Sequence, residues 1–314
     1  MSNSMSQSTK SVTIFSPASV SNVGPGFDIL GFALDGMGDT ITLATRTDDQ
    51  YVIDAIGADL PLAPEKNVAT VGLKSFCDHL GYEGGFDIRI EKNFTPGSGL
   101  GSSASSAAGA VFAANALLKA GLTKEELVPF ALDGEVVASK NRHADNIAPC
   151  MLGGFVAVKG CDPFDAFSVD YPNDLKVLIV FPDVPIKTAE AREILPKSID
   201  MATGIKQSAN MAGLITGLMR SDYYLIRNAM HDGFAQPYRK RLIPHYDEVS
   251  ELAYQHGSVG FNISGSGPAM FGLFRTETET KALKTAVEEI YTAAGIAIKF
   301  HESGINHRGV EYLR

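Results

Sequence analysis

A chain of 314 residues is longer than a single hydrophobic core usually grows, so two packed domains are expected. Its 45% hydrophobic and 20% charged residues, with 31 glycines and 15 prolines, are those of a turn-rich globular protein and exclude extended disorder. A formal charge of −9 excludes an electrostatic nucleic-acid binder, and the Arg239-Lys240-Arg241 cluster is too short to reverse that.

Residues 1–11 are polar and lack an apolar core, so they read as a flexible tail and not a signal peptide. Residues 12–15 and 39–46 read as strands flanking a glycine-rich loop. An alternating strand at 86–90 runs into a turn at 96–101, and a helix follows from 102 to 120. The uncharged stretch 94–118 is glycine, serine and alanine in its first half and carries Asn115 in its second, so no membrane span is expected. Thr123 and Glu126 form a capping box for a helix reaching about residue 142. Residues 155–159 read as a strand, 163–172 as a weakly patterned connector and 175–181 as a buried strand, with the domain boundary at 172/173. Beyond it lie helices at 189–195, 206–219, 222–230 and 247–255, a strand at 260–263, a glycine-rich turn at 264–268, a helix at 277–294 and a strand at 297–301. The whole is an α+β pattern. Cys77, Cys150 and Cys161 are few and far apart, which suggests neither disulfides nor zinc and fits a reducing cytoplasm.

The run Pro96-Gly97-Ser98-Gly99-Leu100-Gly101-Ser102-Ser103-Ala104 joins a strand to a helix. Unpaired amides at a helix N-terminus, with glycines that let the backbone fold into a concavity, suit an anion such as triphosphate. The loop has neither the Gly-Lys-Ser/Thr ending of a Walker A motif nor the Rossmann fingerprint. On the glycines alone, a tight turn with Ser102 as a plain N-cap is an equal reading. Ala104, Ala107, Ala108 and Gly109 behind the loop allow close backbone approach and favour the anion site.

Together with Pro17-Ala18-Ser19-Val20-Ser21-Asn22-Val23-Gly24-Pro25-Gly26-Phe27-Asp28 and Ser264-Gly265-Ser266-Gly267-Pro268, the loop resembles the three motifs of the GHMP kinases. That family is named for galactokinase, homoserine kinase, mevalonate kinase and phosphomevalonate kinase, and the motifs stand in its order over nearly the whole chain. The likeness is to its homoserine-kinase branch at Asn22 to Asp28, at His143-Ala144-Asp145-Asn146, at Ala191-Arg192-Glu193-Ile194-Leu195-Pro196 and at Gln236-Pro237-Tyr238-Arg239. Gln236 departs from the glutamate expected in many relatives.

The resemblance implies an N-terminal domain like domain 2 of ribosomal protein S5 at 12–172 and a ferredoxin-like domain at 173–314. It implies ATP on Pro96, Gly97, Ser98, Gly99, Leu100, Gly101, Ser102 and Ser103, with Asn67 at the nucleotide edge, and Mg2+ on Ser103 and Glu135. Thr188 and Gly265 join the substrate pocket by resemblance. The implied reaction phosphorylates L-homoserine to O-phospho-L-homoserine, a cytoplasmic step of threonine biosynthesis with no nucleic-acid or membrane partner; a homodimer is left open.

Chemistry assigns further roles. Arg192 and Arg239 suit a carboxylate, while Asp28 and Asn22 suit an ammonium. Mevalonate and shikimate lack the ammonium, so the pairing favours an amino acid. His143 and Asn146 read as neighbours on one helix turn, with His143 either a donor to the substrate carboxylate or a structural helix-terminal histidine. Asn146 stands where several relatives have an aspartate, and an amide takes no proton at neutral pH. Catalysis without a dedicated side-chain base is therefore expected, since Asp145 would point about 100° away on the same helix. The competing readings are another GHMP acceptor, or a silent nucleotide sensor, which intact Ser103, Glu135 and both arginines speak against.

Overall fold

The computed structural model describes residues 10–139 and 142–313, so residues 1–9 of the expected tail lie outside the described residues. The first half runs β1 (Ser11–Ser21), β2 (Leu30–Thr45), β3 (Tyr51–Ile56), α1 (Val68–Leu80), β4 (Phe86–Glu91), α2 (Ser102–Leu118), α3 (Lys124–Ser139), α4 (Ile147–Leu152), β5 (Phe155–Cys161) and β6 (Phe164–Val169). The second half runs β7 (Leu175–Pro182), α5 (Thr188–Glu193), α6 (Met201–Arg220), α7 (Tyr223–Ala229), α8 (Gln236–Arg239), α9 (Tyr246–Gln255), β8 (Gly260–Ile263), β9 (Met270–Arg275), α10 (Lys281–Ala293), β10 (Ile298–Ser303) and β11 (Glu311–Tyr312).

Among the described residues, the first sheet has the order β11-β1-β2-β4-β3, with β5 also on β2 and β6 on β5. The second sheet has the order β10-β7-β9-β8 and is antiparallel throughout. Counted from β7, that is fourth, first, third, second, the ferredoxin-like order. The expected division at 172/173 falls between β6 and β7, and the last strand, β11, returns to pair with β1.

Burial explains the layering. On one face of the first sheet, Ile14, Ile41, Leu43 and Ile88 pack against Leu73, Phe76, Val111 and Leu127 of the helices. The opposite face carries Val20, Phe32 and Leu34 onto Val177, Ile179 and Phe271 of the second sheet. Phe32 joins the two sheets, its ring 4.7 Å from Phe155 and edge-on to Phe271 at 5.7 Å. Beyond the second sheet lie α9 and α10, with Val249, Leu283, Val287 and Tyr291 buried. Among the described residues, no helix is long and apolar enough to cross a membrane.

Several local expectations need correcting. Residues 17–21 belong to β1 and not to a loop; Pro17 and small polar side chains hide a strand that is buried on both faces and so shows no alternation. Strand β2 begins at Leu30, nine residues before the expected 39. The connector at 163–172 contains the edge strand β6, and β3, α1, α4, α8, β9 and β11 have no counterpart among the expected elements. The capping box is present, with Thr123 N–H on Glu126 Oε2 at 2.8 Å and Glu126 N–H on Thr123 Oγ1 at 3.3 Å. Its helix, α3, ends at Ser139, and residues 140 and 141 lie outside the described residues.

Candidate active site

The three glycine-rich segments meet at one place. The loop ahead of α2 has its carbonyls tied inward: Leu100 O accepts from Ser19 N (3.0 Å), Ser98 O from Ala269 N (2.9 Å) and Gly99 O from Ser264 Oγ (2.7 Å). Gly265 N–H in turn donates to Ser21 O at 3.1 Å. Strand β1 and the turn before β9 therefore clamp the loop from both sides. Gly101 is the N-cap of α2 at φ 68°, and a Cβ there would lie 2.1 Å from Ser19 Oγ and 2.9 Å from Asn146 Oδ1. Ser102 is the first helical residue and not the cap, so the amides at the start of α2 lack intrahelical partners by construction.

Pro96 and Gly97 are exposed at the loop's tip, while Ser98 is buried and its hydroxyl has no hydrogen-bond partner among the described residues. Beside the loop, Ser103 Oγ donates to Glu135 Oε1 of α3 at 2.9 Å. Burial pushes the Glu135 carboxyl up to about 7, opposed by the Ser103 hydrogen bond and by Lys92. Both oxygens are hard donors suited to magnesium, and among the described residues no group of three His, Cys, Asp or Glu is placed to hold a metal ion. A magnesium ion here would complete its shell from phosphate and water. Asn67 is buried as the N-cap of α1, its amide shared between Ala69 N (3.0 Å) and Pro61 O (2.8 Å). The Val68 carbonyl lies against Gly134, next to Glu135, which sets this helix end beside the α2–α3 pair.

Charged groups gather on the other side. Arg192, in α5, donates from Nη1 to both oxygens of Asp28, at 2.7 and 3.0 Å, and His143 Nδ1 stands 3.6 Å from the same carboxylate. The guanidinium groups of Arg192 and Arg239 each lie 5.1 Å from the Phe27 ring. Arg239 is buried, with Nε on Ala191 O (3.0 Å) and Nη1 on Gly265 O (2.8 Å). Asn22 and Asp28 both sit at φ 58°, a conformation Asn and Asp tolerate. The Asn22 amide is engaged at both ends, donating to Gly265 O (3.0 Å) and accepting from Asp28 N (2.8 Å). Thr188 opens α5, its hydroxyl 3.4 Å from that of Ser266.

His143 and Asn146 do not share a helix turn. Residues 142–144 have no regular structure, and Asn146 is the N-cap of α4. The break puts Asn146 between β1 hydroxyls: Ser19 Oγ donates to its Oδ1 and its Nδ2 donates to Ser21 Oγ, both at 2.9 Å. Burial lowers the His143 pKa from its usual value, so the ring stays neutral at neutral pH. Asp145 is buried, and desolvation together with the nearby Asp28 pushes it up to about 7, against a hydrogen bond from Ser21.

Sequence reasoning missed Ser19 and Ser21, which look like loop serines until β1 is recognised as a strand. It also missed Lys92, whose buried ammonium pairs with Asp39 and donates to Ser102 O at 2.8 Å beneath the first turn of α2. A lysine just after an apolar strand reads as turn polarity, so only the fold reveals it. A cleft of about 790 Å³ between Tyr171, Lys176, Glu302 and His307 holds none of these groups, and its Lys176–Glu302 pair is already made at 2.8 Å.

Residues 67–154 match the GHMP kinases N terminal domain and residues 214–293 the GHMP kinases C terminal. The chain is 41% identical to the homoserine kinase of Chloroherpeton thalassium over 295 residues, which are 90% of this chain and 92% of that one. It belongs to the GHMP kinases, among the homoserine kinases. Identity to the homoserine kinase of Xylella fastidiosa is 39% over 284 residues, 90% of this chain and 87% of that protein. The crystal structure of homoserine kinase from Cytophaga hutchinsonii superposes with a TM-score of 0.92 at 37% identity, covering 100% of this chain and 99% of the other. The Methanococcus jannaschii mevalonate kinase shares the fold at a TM-score of 0.70 and 17% identity, over 96% of this chain and 100% of its own. The two-domain α+β fold expected from the motifs is therefore that of the family.

Two outcomes follow from the geometry. Gly101→Ala combines left-handed strain of ~1–2 kcal/mol with loss of the Ser19–Asn146 contact. Gly97→Ala has φ 75° but nothing within 4 Å of the new Cβ. Urea unfolding of the nucleotide-free protein is expected to show Gly101→Ala losing at least ~1 kcal/mol more than Gly97→Ala.

The second concerns Asp145, whose folded pKa of about 7 lies above its ordinary 3.8. Its contribution to stability is complete below pH 4 and is lost as pH rises through 7. At roughly 1.4 kcal/mol per pKa unit, the stability of Asp145→Asn relative to the parent is expected to climb by up to about 4 kcal/mol between pH 4 and 8. Denaturant titrations across that range, run without ligands, give the slope.

Proposed function

We propose that the chain transfers the γ-phosphoryl group of ATP directly to the side-chain hydroxyl of L-homoserine, forming O-phospho-L-homoserine and ADP, as a cytoplasmic step of threonine biosynthesis. The observation that carries this reading is the Asp28–Arg192 ion pair, beside a turn that clamps a glycine-rich loop suited to an anion. Homoserine brings one carboxylate and one ammonium to that pair and to Arg239. Its carboxylate would take Arg192 and Arg239 and its ammonium Asp28, so one internal ion pair is exchanged for two across the ligand. An acceptor with a carboxylate alone takes Arg192 and leaves Asp28 without its partner. Asn22 fixes the loop that presents Asp28, and neutral His143 donates at the carboxylate side, with Thr188 and Gly265 closing the pocket.

For the nucleotide, Gly97 to Ser103 offer amides and hydroxyls at the start of α2, and Asn67 caps the start of α1, whose Val68 carbonyl lies against Gly134. Ser103 and Glu135 would hold a magnesium ion, which when bound screens phosphate charge. Asn146 is held by Ser19 and Ser21 in an orientation that can direct the acceptor hydroxyl but cannot take its proton. The hydroxyl proton then leaves late, to phosphate or water, and rate comes from alignment and electrostatics. On this reading Asp145→Asn is expected to keep turnover; loss of turnover with both substrates still bound and the fold intact would overturn it.

The experiment is ADP release over a panel of hydroxyl acceptors: L-homoserine, 4-hydroxybutyrate, mevalonate and shikimate. About 1.4 kcal/mol, for a partly exposed carboxylate left without its partner and an ammonium contact forgone, corresponds to on the order of tenfold in kcat/KM for homoserine over 4-hydroxybutyrate. A preference for the acid that lacks the amine would overturn the acceptor assignment.

A further inference from the structure

Helix α8 is a single turn whose N-cap, Ala235, has no side-chain cap, yet it carries the buried Arg239. What caps it is Asp232, which is 6% exposed. Its Oδ2 accepts from Ala235 N (3.0 Å) and Gln236 N (2.7 Å), and its Oδ1 accepts from Phe234 N at 2.7 Å. The same Oδ1 accepts from Gln207 Nε2 of α6 at 2.9 Å. Gln207 is 4% exposed and reaches further. Its Nε2 also donates to Pro25 O at 2.8 Å, and its Oε1 accepts from Gly233 N at 2.7 Å. One residue turn along, Asn210 Nδ2 donates to His231 O at 3.0 Å.

Pro25 lies in the Asn22–Asp28 loop, and Gln236–Arg239 is the helix that ends in Arg239. The two sides of the charged cluster lie some two hundred residues apart in sequence, and Gln207 with Asp232 ties their backbones together, beside the Gly265 carbonyl that Asn22 and Arg239 share. We infer that Gln207 and Asp232 are positioning residues that set the distance between Asp28 and Arg239, and through it the selection of an amino-acid acceptor. Neither residue touches the phosphate loop, whose anchors are Ser19, Ser264 and Ala269. The inference deepens the acceptor reading given above and rests on it for the identity of the ligand. A purely structural network would stabilise both halves of the site alike; this one acts on the acceptor half.

The test uses Gln207→Met, which conserves volume while removing both ends of the amide, and Asp232→Asn, which retains one acceptor oxygen. The expected result is a KM for homoserine raised at least tenfold, with kcat lowered less than threefold and ATP affinity, measured without acceptor, within twofold of the parent. Preference for homoserine over 4-hydroxybutyrate should fall at least fivefold. Hydrogen exchange supplies a readout independent of the acceptor: Gln207→Met should speed exchange at residues 22–28 and 232–239 and leave 96–103 unchanged. Unaltered exchange at 22–28, or ATP affinity that falls in step with homoserine affinity, would overturn the positioning role. If the parent turns over some other acceptor, the acceptor reading fails by itself, and the KM comparison is made with that compound. Should Asp232→Asn not fold, Gln207→Met alone carries both measurements.

Discussion

Everything in the site depends on how the loop at 96–101 disposes of its backbone carbonyls. Each peptide unit has a donor and an acceptor, and a buried acceptor must find a partner. Ser19, Ser264 and Ala269 supply donors for Leu100, Gly99 and Ser98, so the carbonyls turn into the protein. A loop held this way offers its opposite side, and the start of α2, to an anion. The clamp also explains why the motifs occur so far apart in sequence: strand β1 and the turn between β8 and β9 are two jaws of one structure.

The jaws also position the charged groups. Ser21 and Asn22, at the end of β1, bond Gly265 in the turn through Ser21 O and Asn22 Nδ2, and Gly265 O is shared with Arg239. Two oppositely charged groups, Asp28 and Arg192, meet where the jaws meet, partly exposed at 24% and 38% of their side chains. An ion pair so placed contributes little to stability, typically under ~1 kcal/mol. Under the proposed reading its use is selection: it opens at low cost for a ligand carrying both charges and leaves one partner alone for any other.

Much of this was legible in the residues. The glycine pattern at 96–101 identifies the loop, and the family motifs point to Ser103 with Glu135 and to Asp28 with Arg192 and Arg239, which the fold gathers as two groups. What was hidden has a common physical cause. Strand β1 is buried on both faces, so it lacks the period-2 signal, and Pro17 disguised it as loop. That error concealed Ser19 and Ser21, and with them the reason Asn146 points where it does. The break before α4 was hidden too, because residues 142–146 carry helix-compatible side chains, and the break is set by tertiary bonds from β1. Long-range ties such as Lys92 to Asp39, 53 residues apart, leave no local trace at all. The Asn22 amide, expected at the ligand's ammonium, is also engaged at both ends in shaping the loop.

Selection by the Asp28–Arg192 pair is tested most directly by Asp28→Asn, which keeps shape and one acceptor oxygen but removes the negative charge. The quantity to measure is the ratio of kcat/KM for homoserine to that for 4-hydroxybutyrate, in the parent and in the variant. The expected result is a ratio that collapses by at least tenfold, through loss on homoserine and gain on the acid. A variant that keeps the parental ratio would contradict a site built around a paired carboxylate and guanidinium.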